Sequence, residues 1–367
     1  MSGRRVPPTD PILEFHLTFT TIMNTIAKSL LIALTAILTA SSAPAAGPVK
    51  VKLATLAPKG SSYTKHLQVM GEAWKKASSD GVTLTLFPDG SMGSEADMVK
   101  RMRLNQLQAA MVTAAGLAEI EPAVSGLETM PRIYRSLDEV DFIGEKMHPM
   151  LEKRLAAKGF IVLFWTDAGF IRFFSKNPMV TPEDLRKNKL FASSSRPEEL
   201  EIYRSVGCNP VPLEIADVLP GLQNGLITAI SYPPNVALAV QLDTFAPNML
   251  DMNWVPLVGA AVINKKAWDS MTPETQAIVL KAAKEAGKAI QKDARRESEE
   301  SIEAMKKRGL KVFTLTPEIE TDWDKVVSST YPKLRGVSVP ADIFDEITSQ
   351  LAAYRASKTN NPAPEKK

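Results

Sequence analysis

Side chains able to carry catalysis are scarce in this sequence. Beyond residue 45 the only histidines are His66 and His148. Neither belongs to an H-E-x-x-H run, and the single cysteine, Cys208, leaves no C-x-x-C pair. A zinc site is therefore unsupported, and no metal is expected. There is no G-x-S-x-G elbow, no G-x-G-x-x-G and no P-loop. The GSMG run at Gly90 to Gly93 is a turn, too short and wrongly spaced to cradle phosphates. Carboxylates cluster at Glu198-Glu199 and at Glu297, Glu299 and Glu300, in charge-rich helical contexts that read as solvated faces. Nothing asks for an enzyme or a cofactor. Because acid–base pairs need only meet in space, a secreted enzyme with an unrecognised carboxylate pair remains as one alternative.

The elements that would position any site follow a strand–helix alternation. Val49 to Ala54, Val82 to Phe87, Ala109 to Thr113 and Phe160 to Trp165 read as strands. Helices are expected from the loop at Ala57 to Tyr63 through Ala77, over Glu95 to Leu107 and over Leu137 to Ala157. Such alternation implies parallel sheets with crossover helices, an α/β fold. Three Thr-Pro-Glu triplets, at Thr181, Thr272 and Thr316, place a threonine at the N-cap and proline in the first helical turn. Ser195-Arg196-Pro197-Glu198 has capping-box spacing before a further helix. Thr275 to Arg308 reads as one long charged helix, about 50 Å if unbroken, or as two helices bent at Gly287.

The 367 residues are 44% hydrophobic and 23% charged, which suits a globular protein with room for two domains. The net charge of +3 is spread among acidic residues, without the basic stripe that nucleic acid requires. Lys28, the apolar run Leu30 to Leu38 and the exit Ala43-Pro44-Ala45 form the three parts of a secretory signal peptide. Residues 1–45 are assigned to it, with translation expected to begin at Met23. The apolar run falls short of the about 20 residues that span a bilayer, so the exported chain is not expected to cross a membrane. Cys208 has no internal partner and reads as a small buried residue. Residues 357–367 hold too few apolar side chains to pack and are expected to be disordered.

Several runs, in this order and spacing, carry a resemblance. They are FPDGSMGSEADMVKRMRLNQLQAAMV, LETMPRIYRSLDEVDFI, GFIRFFSKNPMVTPEDLRKNKLFA, VGCNPVPLEIADVLPGLQNGLITAISYPP and AWDSMTPETQAIVLKAAKEA. Together they resemble the solute-binding proteins of tripartite ATP-independent periplasmic (TRAP-type, DctP family) transporters, over about residues 49–350. The resemblance implies a periplasmic-binding-protein-like fold: two α/β lobes, a ligand cleft between them, and a long helix spanning both. Lobe 1 is expected to comprise residues 46–168 plus 258–290, and lobe 2 residues 169–257 plus 291–356. The implied partners are a small-molecule solute and TRAP membrane permease subunits, and the implied location is the periplasm.

The sequence departs from the family where the ligand is held. The strand that in the family reads K-I-R-V is Lys189-Leu190-Phe191-Ala192, so the arginine that grips a substrate carboxylate falls on Phe191. An upstream arginine, in G-F-R, falls on Ile171, with Arg172 one residue later. In V-D-G-Q-E-N-P the glutamine falls on Ile230 and the asparagine on Tyr232. An aromatic that often stacks on ligand falls on Ile215. A carboxylate buried beside Phe191 without an arginine would be strongly penalised. The cleft should therefore prefer a weakly polar, aromatic or hydrophobic solute to a simple dicarboxylate. The residues expected to line it are Tyr63, Trp165, Arg172, Phe191, Ile215, Tyr232 and Trp254. For each aromatic, core packing is an equal reading. Arg172 and Arg196 are the candidate replacements for the missing arginine, Arg196 more readily a surface residue. Met92 and Met111 read as core. The same fold serving as a periplasmic lipid or hydrophobic-ligand carrier, or as a sensor, is the nearer alternative.

Overall fold

The computed structural model describes residues 49–77, 81–194, 197–214 and 217–360. The signal segment, Arg196, Ile215 and residues 361–367 lie outside that set. Eleven strands run β1 Lys50–Thr55, β2 Thr83–Phe87, β3 Ala109–Thr113, β4 Phe160–Phe170, β5 Arg172–Ser175, β6 Lys189–Ser193, β7 Asn209–Leu213, β8 Ala229–Tyr232, β9 Asn248–Asp251, β10 Pro256–Asn264 and β11 Lys311–Thr314. The helices are α1 Ser62–Ala77, α2 Glu95–Arg103, α3 Ala114–Ala118, α4 Leu137–Ala157, α5 Pro182–Lys187, α6 Pro197–Ser205, α7 Val218–Asn224, α8 Pro234–Ala239, α9 Lys265–Asp269, α10 Pro273–Lys307, α11 Pro317–Leu334 and α12 Ala341–Asn360.

The strands form two sheets, ordered β2-β1-β3-β10-β4 and β11-β9-β5-β8-β6-β7. Both are mixed, where alternation of strands and helices implies parallel ones. The antiparallel members are the strands on which the chain changes sheet. It leaves the first sheet along β4 and enters the second along β5, then returns from β9 to β10, which lies antiparallel between β3 and β4. Gly169, at φ +77°, and Ile171 mark the outward crossing. There the Ile171 amide donates to Val255 and the Trp254 amide to Ile171, binding the two crossings side by side.

Strand periodicity gives each sheet two buried faces. In β3, Ala109 and Met111 enter one core while Ala110 and Val112 enter another. In β6, Leu190 and Ala192 face one core and Phe191 the opposite one. Among the described residues four cores result, and two helices join them in pairs. Along α10, Val279, Ala283 and Ile290 pack on the first sheet, and Ile302 and Met305 on the second. On the other side, α11 sets Trp323 and Val327 against the second sheet and Leu334 against the first. The resemblance implies that α10 is a brace; α11 is a second one.

The long helix is continuous through Gly287. Thr181, Thr272 and Thr316 each cap a helix, accepting from the amides of Asp184, Thr275 and Ile319. The expectation places residues 341–356 in lobe 2; Ile343, Phe344, Ile347 and Leu351 of α12 pack in the core that holds α4. The closing helix also runs to Asn360, past the expected start of a disordered tail at Ser357.

Candidate functional site

One face of the second sheet gathers several of the residues expected to meet a ligand. Arg172 and Tyr232 are register partners on antiparallel β5 and β8, so their side chains leave the sheet on the same side. Phe174, two residues beyond Arg172, and Ile230, two before Tyr232, share that side and are wholly buried. Phe191 and Tyr232 are half-buried and pack against the same cluster. Burial also raises the Tyr232 hydroxyl pKa, so it remains a neutral donor and acceptor.

Arg172 is the cation of this face, 8% exposed. Its Nε donates to Asp251 Oδ1 over 3.1 Å, and Asp251 closes β9. The guanidinium lies 5.9 Å from the centre of the Phe170 ring, on the crossing strand. Nη1 is fully buried and has no hydrogen-bond partner. A buried guanidinium nitrogen normally finds an acceptor, which makes this one unusual.

Tyr63 approaches from the first sheet. It stands in the opening turn of α1, which follows β1, and the Asn235 side chain at the start of α8 lies near its hydroxyl. This brings an element of the first sheet beside the turn that follows Tyr232. Burial, with Asp167 and Glu297 nearby, pushes the Tyr63 hydroxyl up to about 12. Its neighbour Ser62 donates to Glu297 Oε2 over 2.8 Å. Glu297 is thus tied to α1 and is not part of a solvated face, whereas Glu300 remains largely exposed beside Arg296. Glu198 and Glu199 lie outside the described side chains.

Near Tyr63 the α10 brace is fixed by charge. Asp167, 3% exposed on β4, accepts from Arg295 Nε at 2.9 Å, from Gln291 at 2.6 Å and from the Gly169 amide at 2.9 Å. Arg295 also reaches Asp141 on α4 at 2.9 Å. These carboxylates raise the Arg295 pKa despite its burial, so the guanidinium stays charged.

The remaining expected residues lie elsewhere. Trp165 stacks on His148 of α4, ring centres 4.3 Å apart, and donates its indole N–H to Glu152. Trp254 is buried on the opposite face of the second sheet, edge-on to Phe173 at 4.9 Å. Ile171 contributes main-chain bonds to the crossing. Met111 is core, and Met92 packs partly buried against core. Cys208 is buried, and burial pushes its thiol up to about 11, so it is inert. The structure therefore brings together Arg172, Phe191 and Tyr232, with Tyr63 beside Asn235 at the turn that follows Tyr232. Asn235 and Asp251 had no signal in the sequence beyond their places at a helix start and a strand end. Among the described residues no cluster of His, Cys, Asp or Glu could hold a metal.

A family model described as bacterial extracellular solute-binding protein, family 7 (DctP), matches residues 53–335. The chain is similar to the 2,3-diketo-L-gulonate-binding periplasmic protein YiaO of Escherichia coli, 28% identical over 63% of this chain and 70% of that protein. It is also similar to the C4-dicarboxylate-binding periplasmic protein DctP of Rhodobacter capsulatus, 24% identical over 83% of this chain and 92% of the relative. Among solved structures, a TRAP periplasmic solute-binding protein from Xanthobacter autotrophicus with bound β-D-galacturonate aligns with TM-score 0.74. That alignment is 22% identical and covers 82% of this chain and 99% of the other, a likeness of fold.

Proposed function

The chain belongs to the DctP family, family 7 of the bacterial extracellular solute-binding proteins, and from that premise we propose that it is the receptor of a TRAP-type transporter. After loss of its signal peptide it works in the periplasm. There it captures a small solute between the two sheets by lobe closure and delivers it to membrane permease subunits. Among the described residues no helix is long and apolar enough to cross a membrane.

The solute is weakly polar, aromatic or hydrophobic, and not a simple dicarboxylate. The observation that carries this reading is Phe191, packed with Tyr232 and Ile230 on the face that bears Arg172. The relatives named above take a keto sugar acid and C4-dicarboxylates. A dicarboxylate held at this face would need a second cation, and none of Phe174, Phe191, Ile230 or Tyr232 supplies one.

A thermal-shift series tests the reading. Succinate and malate at millimolar concentration should leave the melting temperature unchanged, and Phe191→Arg should weaken binding of the natural solute. A rise of several degrees with either dicarboxylate would overturn the proposal.

A further inference from the structure

We infer that Arg132 is the clamp of the hinge between the two sheets, setting how freely they open around a solute. The inference rests on the receptor reading above and adds a residue that positions the lobes without touching the solute.

The clamp stands where the chain crosses between sheets. Arg132 belongs to the segment that leads into α4, and its neighbours Ile133 and Tyr134 are buried in a core of the first sheet. Its amide donates to the Trp254 carbonyl over 2.6 Å. The Trp254 amide in turn donates to Ile171, so Arg132 joins the two crossings where they bond to each other. The Arg132 side chain reaches α11. There Nε donates to Asp324 Oδ1 and Nη2 to Glu320 Oε1, each over 2.9 Å. Those carboxylates lie one turn apart and flank Trp323, which is buried in a core of the second sheet. The guanidinium therefore bridges a segment of the first sheet to the part of α11 seated on the second.

Three features separate this contact from an ordinary surface ion pair. The Arg132 side chain is 11% exposed, although both carboxylates are more than half exposed. Its backbone stands at φ +52°, in the left-handed region that residues other than glycine enter at a cost. Such strain persists where the surroundings over-determine it, and it collects at segments that switch. Adjoining bonds supply that constraint. Tyr331 of α11 donates its hydroxyl to the Pro131 carbonyl over 2.9 Å, and Asn253 donates to the Arg135 carbonyl over 3.1 Å. One short segment is thus held by the crossing and by α11 at once. An arginine suits the role, because its planar fork meets two carboxylates in one fixed orientation. Opening the sheets about the crossings moves α11 relative to this segment and must stretch or break these bonds. The clamp accordingly favours the arrangement seen here, with Tyr63 of α1 beside Asn235 of α8.

Distances between the lobes test the clamp. The mature chain, purified from the periplasm, carries spin labels at Val69→Cys on α1 and at Leu226→Cys before β8. Both positions are exposed, while the buried Cys208 stays unlabelled. Pulsed electron resonance reads the distribution of distances between the labels. Arg132→Gln should move population toward longer distances, raising the ratio of long to short about two- to tenfold. Glu320→Gln combined with Asp324→Asn, two exposed changes, should do the same and serves if Arg132→Gln does not fold. A lower melting temperature with the distance distribution of the parent would show a merely structural contact and would overturn the proposal. A shift to shorter distances would overturn it as well. Either result would reject the clamp and keep the receptor. Failure of the receptor reading would instead show as protein isolated from the periplasm without any small molecule.

Discussion

Gly287 of α10 meets Phe164 of β4 so closely that a Cβ on the glycine would stand 2.6 Å from the Phe164 Cβ and ring. This explains a glycine in the middle of a 35-residue helix. The residue costs helical propensity, but it lets the brace lie directly on the first sheet. The helix runs unbroken through this glycine, which serves close approach.

Gly287→Ala should therefore destabilise the protein. Alanine gains about 1 kcal/mol of helix propensity, and overpacking against Phe164 costs about 1–3 kcal/mol. Urea denaturation should show a lower midpoint with an unchanged slope. A higher midpoint would mean that α10 does not seat on β4 at this position.

Tyr63 and Asn235 should be energetically coupled. The Asn235 side chain of α8 lies beside the Tyr63 hydroxyl of α1, and a hydrogen bond formed between two such groups contributes about 1 kcal/mol. In a double-mutant cycle, Tyr63→Phe and Asn235→Leu should interact by about 0.5–1.5 kcal/mol. Strict additivity would show that the contact adds nothing to stability.

His148 should give stability an acid-side dependence. Burial holds its folded pKa down to about 4, below the ordinary value of 6.5. The unfolded chain then binds more protons between these values, so the stability present above pH 6.5 is lost as pH falls toward 4. The loss is at most about 1.4 kcal/mol per pH unit from this group. His148→Phe keeps the stack on Trp165 and removes the titration. The melting temperature of the variant relative to the parent should rise steadily from pH 7 to pH 4.5, with His66 common to both proteins. A flat difference would place the His148 ring in water.

Much of this molecule is legible in its residues. The three threonine caps and the bounds of β3 and α4 follow from local pattern, because capping and periodicity are short-range physics. The mixed sheets are not legible, since nothing local to β4 or β10 says that the chain crosses between sheets there. The brace role of α11 is equally hidden, because it depends on Trp323 and Leu334 meeting different cores. In the site, Phe191 and Tyr232 depart from a familiar pattern, and alternation along their strands puts them on one face. Trp165 and Trp254 stand out in the sequence as aromatics, Trp165 at the end of a strand. An aromatic at a strand end can turn to a helix or to a core as readily as to a cleft. Asn235 and Asp251 matter through the partners they meet from distant segments, which sequence spacing does not encode.

Native mass spectrometry of the protein purified from a bacterial periplasm, followed by identification of the released molecule, tests the central claim most directly. The account predicts one small, weakly polar, aromatic or hydrophobic solute, retained by the parent and lost from Phe191→Arg. A bound C4-dicarboxylate or sugar diacid, or the same solute retained equally by the variant, would contradict it.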